Sequence, residues 1–209
     1  MQIFNNRLKF GNGFTVTFHR TLRIPEDGKN HGLPASLGNF PVKRVEDFAD
    51  RVPASWRKHG GVFIPMFQRE ALWLQFNADE PCAVKVAAGK INAVSGKPWT
   101  PELRDADGRC AGKNPVQDYF VCHSGTQDWN GQSQPWLDGF NTSEGTVRQF
   151  VAMPLGGGYT VEGQVTGEET VGGIQMLVLP PKPGAIQRKP RPVYRGWAVP
   201  CGMGGLESM

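Results

Sequence analysis

Hydrophobic and polar positions alternate most cleanly near the start of the chain. Phe14, Val16, Phe18, Leu22 and Ile24 fall on one face of an extended segment, and Thr15, Thr17, His19, Thr21 and Arg23 fall on the other. That period of two marks a half-buried strand. Phe4, Leu8 and Phe10 share a face of a strand before it, and Gly11-Asn12-Gly13 between the two suits a tight turn, so the pair reads as a hairpin. Arg20 interrupts the apolar face and reads as a side chain snorkelling at a sheet edge. Residues 25–38, PEDGKNHGLPASLG, form a turn-rich connection.

A helical period occurs once, over residues 45–59. Val45, Phe48, Ala49 and Val52 repeat at helical spacing, Pro53 opens a second short turn, Gly60-Gly61 ends it, and Trp56 is placed to pin it to the sheet. The densest apolar and β-branched run follows, over residues 62–94. Residues 62–65 and 71–76 read as strands, with Trp73 on one face and Leu72, Leu74 and Phe76 on the other. Apolar residues on both faces require both faces to be covered. Residues 82–88 and 91–94 flank Gly89-Lys90, which suits a type II′ hairpin and leaves Lys85 and Lys90 facing solvent.

Residues 95–117 and 123–135 are polar loops around a short strand at 118–122. Residues 134–140, QPWLDGF, read as an aromatic turn, and residues 146–153 and 173–179 as strands around a Gly-rich middle. From Pro180 onward six prolines fall within 30 residues, without amphipathic period, the mark of a semi-rigid extended arm. The expected architecture is mainly β: a β-sandwich or mixed two-layer sheet over residues 1–179, one short helical element, and a Pro/Gly-rich basic C-terminal arm over 180–209.

Composition changes this picture in two places. Gly and Pro, 27 and 17 of 209 residues, fit many turns between short strands. The net charge of +4 lies wholly in the arm, where Lys182, Arg188, Lys189, Arg191 and Arg195 oppose only Glu207. The basic balance is therefore no sign of a nucleic-acid face on the body, and the arm reads as protein-docking, with nucleic-acid contact as the rival. No run reaches membrane-spanning length and the N-terminus has no signal-peptide pattern, so a cytoplasmic location is expected. Cys82, Cys110, Cys122 and Cys201 show no metal-ligand spacing and read as reduced thiols.

Motifs with chemistry are few. Leu155-Gly156-Gly157-Gly158-Tyr159 lacks the Lys-Ser/Thr and helix of a phosphate loop. Asp105-Ala106-Asp107-Gly108 has the opening of a calcium loop, but position 116 is Val where that loop needs Glu. Cys122 and His123, adjacent on a strand, point to opposite faces and form no relay. No cofactor or metal is expected. An acidic site over residues 118–170 is the enzymatic alternative, with Asp118, Asp138, Glu144, Arg148 and Glu162 as candidate catalytic residues and Glu168 and Glu169 near them. The favoured reading is a non-enzymatic protein that forms homo-oligomers through sheet edges and its arm, with Phe14, Phe18, Trp73, Trp136, Tyr194 and Trp197 as interface residues.

The blocks VFIPMFQREALWLQF, AVKVAAGKINAVSGKPW, QDYFV, QPWLDGF and VRQFVAMPLGGGYTVEGQVTGEETVGGIQ resemble, in order, segments of an uncharacterised family of bacterial and fungal proteins. The resemblance covers about residues 15–180 and implies no known activity and no catalytic residues. Gly202-Met203-Gly204-Gly205-Leu206 resembles the start of a continuation found in longer members.

Overall fold

The computed structural model describes residues 1–11, 13–25, 27, 29, 31–103, 117–123, 133–142 and 147–184. The chain opens with β1 (Gln2–Phe4), β2 (Arg7–Lys9), β3 (Thr15–Thr21) and β4 (Lys43–Arg44). A 3-10 turn (Glu46–Phe48) and α1 (Ala54–His59) lead to β5 (Val62–Phe63), β6 (Ala71–Asn77), β7 (Cys82–Ala88) and β8 (Ile91–Asn92). Then come β9 (Phe120–Cys122), β10 (Trp136–Leu137), β11 (Gly139–Asn141), β12 (Val147–Val151), α2 (Val161–Thr166) and β13 (Ile174–Leu179). The protein is mainly β, as its alternating patterns imply, and among the described residues every strand pairing is antiparallel.

The first sheet has the order β1-β2-β3-β6-β12-β11, with β10 also on β6. Its centre is the seven-residue register of β3 with β6, in which Val16 faces Phe76 and Phe18 faces Leu74. All four are buried. The second sheet has the order β13-β7-β8, with β9 also on β7. It turns Cys82, Val84, Val86, Phe120 and Cys122 into the same core. Phe76 of the first sheet meets Phe120 of the second at 5.1 Å between ring centroids. Each such large apolar side chain, once fully buried, stabilises the fold by about 1.5–3 kcal/mol.

The two layers are joined along one side. Asn141 N donates to Ala93 O and Ala93 N donates to Val86 O, both at 2.8 Å, linking β11 to β7. Gln134 N donates to Val121 O at 2.9 Å and Phe76 N to Pro135 O at 2.8 Å, linking β6 to β9. The other ends of the two sheets are β1 and β13.

Several local expectations need correction. Asn5 and Asn6 both have positive φ, so the chain turns there. β1 and β2 form their own hairpin, Phe4 lies 65% exposed, and Leu8 is buried. Gly89 and Lys90 also both have positive φ, +54° and +63°, which makes that turn type I′ rather than II′. The helical stretch 45–59 splits into the 3-10 turn and α1, and neither buries a residue. Trp56 stays 45% exposed and leans on Phe63 at 5.8 Å. A second helix, α2, stands inside the Gly-rich stretch, and the aromatic turn at 134–140 contains the strands β10 and β11. Phe14 and Phe18, expected at an interface, lie in the chain's own core at 0% and 5% exposure.

Candidate functional site

The largest departure from expectation is Lys85. Alternation along β7 turns it away from the sandwich core, which on sequence alone means solvent. Residues 97–102 and 117–119 cover that outer face instead, and Lys85 is fully buried. Its Nζ donates to Asp118 Oδ2 at 2.7 Å, Thr100 O at 2.6 Å and Glu102 O at 2.7 Å, with Thr100 Oγ1 at 3.2 Å. The ammonium also lies 5.1 Å from the Trp99 ring centre. Asn92 secures the same corner: its Nδ2 donates to Asp118 O at 2.7 Å, while its Oδ1 accepts from Val94 N and Ser95 N. With its donors engaged and no exposure, Lys85 is a structural tie holding Glu102 and Asp118 together, and Asp118 is its counter-ion.

Glu162 is equally committed. Thr160 caps α2, its Oγ1 accepting from Gly163 N at 3.1 Å, and Gly167 ends the helix in the left-handed region at φ +79°. This sets Glu162 inward, 3% exposed, against the β7–β8 turn. Its carboxylate accepts from Thr170 N at 3.1 Å, Val171 N at 2.8 Å and Gly172 N at 2.7 Å. Burial by itself raises its pKa, but these amides outweigh that and hold it below the usual carboxylate value. A Cβ on Gly89 would come within 2.6 Å of Glu162 Cβ, so only glycine admits this approach.

Glu169 does the same job on the other side of α2. It accepts from Thr160 Oγ1 at 2.6 Å, Thr160 N at 2.8 Å and Gly158 N at 3.0 Å. The Thr160 hydroxyl first, then the two amides, pull its pKa to about 2. The Gly-rich stretch thus does cradle anions, but they are the chain's own carboxylates.

The remaining candidates do not join these. Asp138 is half-buried and its backbone carbonyl accepts from Phe150 N at 3.0 Å. Arg148 is exposed and reaches Gln164 Oε1 at 3.4 Å. Glu144 lies outside the described residues, as do the 105–108 segment, Tyr194 and Trp197. Two clefts, lined by residues 47–51 and by Gln117, Phe120, Val121, Ser133 and Gln134, include none of the described candidates. No three His, Cys, Asp or Glu side chains gather in metal-binding geometry among the described residues. None of their helices is long and apolar enough to cross a membrane.

Of the expected interface residues, Trp136 is 43% exposed on β10. Trp73 stacks flat on His19, with centroids 3.9 Å apart and planes 8° apart. His19 in turn bonds Ser36 Oγ at 2.8 Å and Gln75 Oε1 at 2.9 Å. Arg20 pairs with Glu70 at 2.8 Å and lies over the Phe40 ring.

One side of β13 presents a backbone edge. In β7 the carbonyl of Val86 points to Ala93, on the β8 side, while Gly89 N donates to Gly173 O on the β13 side. Backbone groups alternate sides along an antiparallel strand. Gln175, Leu177 and Leu179 therefore bond to β7, and Ile174, Met176 and Val178 turn N–H and C=O outward. Among the described residues no strand pairs with that side of β13. No protein-family model, curated protein or solved structure matches the chain.

Proposed function

We propose that this chain is a non-enzymatic, cytosolic interaction protein that self-associates through its sheet edges and C-terminal arm. The observation supporting this is the β13 edge, which no strand pairs among the described residues. Its sequence, Ile174–Leu179 IQMLVL, has neither charge nor proline, and all six residues are half-buried. Edge strands that stand alone in solution are blunted by charge, proline or a covering segment; β13 has none of the first two. The rival reading of an acidic site over 118–170 draws less support, since Asp118 and Glu162 are already spent on Lys85 and on loop amides.

Light scattering on full-length protein across a concentration series tests the proposal. A discrete homo-oligomer is expected, weakened by Leu179→Lys, which puts a charge beside the edge. A monomer at every concentration overturns it.

A further inference from the structure

The edge along β13 is short, and each of its ends is closed by a different device. We infer that β13 pairs with β13 of a second copy, antiparallel about a two-fold axis at Met176, so that Ile174 opposes Val178 of the second copy and Met176 opposes its own equivalent. This rests on the self-association reading and deepens it by fixing the edge, the register and the symmetry.

Ile174, Met176 and Val178 turn their N–H and C=O away from β7, and among the described residues nothing bonds them there. Before Ile174 the next residue on that side is Gly172. Its N–H is engaged by Glu162 Oε2 at 2.7 Å, and its carbonyl accepts from Gln175 Nε2 at 2.7 Å. Gly172 and Gly173 also have positive φ, +61° and +63°, which takes the chain out of the extended form. After Val178 the corresponding residue is Pro180, which has no N–H. The edge therefore offers Ile174, Met176 and Val178 and ends on both sides of them.

Such an edge fits its own copy in one register. Antiparallel pairing sets bonding residues opposite bonding residues, each pair exchanging both hydrogen bonds. With the axis at Met176, Ile174 pairs with Val178, Met176 with Met176 and Val178 with Ile174, and every outward group finds a partner. Pro180 then falls opposite Gly172, which has no side chain to meet the ring and no backbone group left to satisfy. A shift by two residues sets Ile174 opposite Pro180, which cannot donate to its carbonyl, or Val178 opposite Gly172, whose groups are engaged. The same patch on both molecules makes the interface isologous, so it closes at two copies.

The side chains agree with this register. Ile174, Met176 and Val178 pack on the sandwich core yet stay half-buried. Across the axis they stand beside Val178, Met176 and Ile174 of the second copy on the same face, so the core continues from one copy into the other. On the opposite face Gln175 meets Leu177 of the second copy. The Gln175 side chain already accepts from Lys90 N and donates to Gly172 O, so pairing strands no amide, and β13 brings no charge to the seam.

Backbone hydrogen exchange on the full-length protein, with light scattering on the same samples, reads the inference directly. The Met176 and Val178 amides should be unprotected in dilute monomer and slow at least about tenfold as the dimer fills. An oligomer whose Met176 amide stays unprotected overturns the inference and leaves self-association standing on another surface. A monomer at every concentration sinks both, and protected amides in that monomer would mean that the chain covers its own edge. The axis has its own test in a Cys110→Ser/Cys201→Ser background. Under glutathione disulfide, Met176→Cys should give a disulfide-linked dimer, since bonded cross-strand partners lie about 5.5 Å apart at Cα, within disulfide reach. Val178→Cys, which faces Ile174 rather than itself, should not. Linkage at Val178→Cys, or none at Met176→Cys, overturns the register.

Discussion

Lys85 Nζ and Asp118 Oδ2 lie 2.7 Å apart with both side chains buried. Removing one member of such a pair strands the other charge in a low-dielectric interior. Lys85→Met and Asp118→Asn should each cost about 3–5 kcal/mol in urea unfolding. Replacing both, as Lys85→Met/Asp118→Leu, should cost less than the two single losses combined. Single losses below about 1 kcal/mol, the range of an exposed pair, would show that Lys85 is solvated after all.

Acid should loosen the α2 region first. Glu162 and Glu169 both have folded pKa values below the ordinary glutamate value of 4.5, Glu169 at about 2. A depressed carboxylate contributes stability above its unfolded pKa and loses it as pH falls through the folded one. The Glu169 contribution should therefore fade between pH 4.5 and about 2. Thermal melts of Glu169→Gln should sit below wild type at pH 7 and converge with it across that interval. A gap that persists at pH 2 would mean the hydrogen bonds to Thr160 and Gly158 are not the cause.

Cys82 and Cys122 face each other across β7 and β9, and burial pushes their thiols up to about 11 and about 12. At pH 8 the Cys82 thiol would be about one part in a thousand thiolate. In a Cys110→Ser/Cys201→Ser background, an aromatic disulfide reagent should label neither thiol in native protein and both after urea unfolding. Prompt native labelling would contradict the packing of the sandwich.

Phe14 and Trp136 separate core from surface. Phe14→Ala should cost about 3–5 kcal/mol, because it empties a site in contact with Phe10 and Phe76. Trp136→Ala, on a side chain 43% exposed, should stay within about 1 kcal/mol. A Phe14→Ala protein of unchanged stability but altered association would restore the interface role that its burial argues against.

The strands at the centre of the fold are legible because their cause is local. Thr15–Thr21 and Ala71–Asn77 carry alternating patterns, and Cys82–Ala88 an apolar run broken only by Lys85, each with one extended solution. β8 is legible as the return of the Gly89-Lys90 hairpin, whereas the two-residue strand β10 carries too few residues for any period, and its pairing with the distant β6 creates it. α2 had boundary signals, Thr160 before it and Gly167 after it, but its six residues include Gly163 and show no helical stripe.

The candidate carboxylates show the division most clearly. Their positions are plain in the chain, yet whether a carboxylate is a reagent or a tie depends on what is brought to it. Glu162 meets the amides of residues 170–172 only because α2 folds back over the β7–β8 turn, and Asp118 meets Lys85 across 33 residues. Residue order alone determined a mainly β protein with alternating apolar faces and a basic, proline-rich end, since those follow from neighbours along the backbone. Which polar groups are buried and paired, and that one side of β13 has no strand partner among the described residues, was decided by tertiary structure, because desolvation and pairing depend on distances between segments that no local pattern encodes.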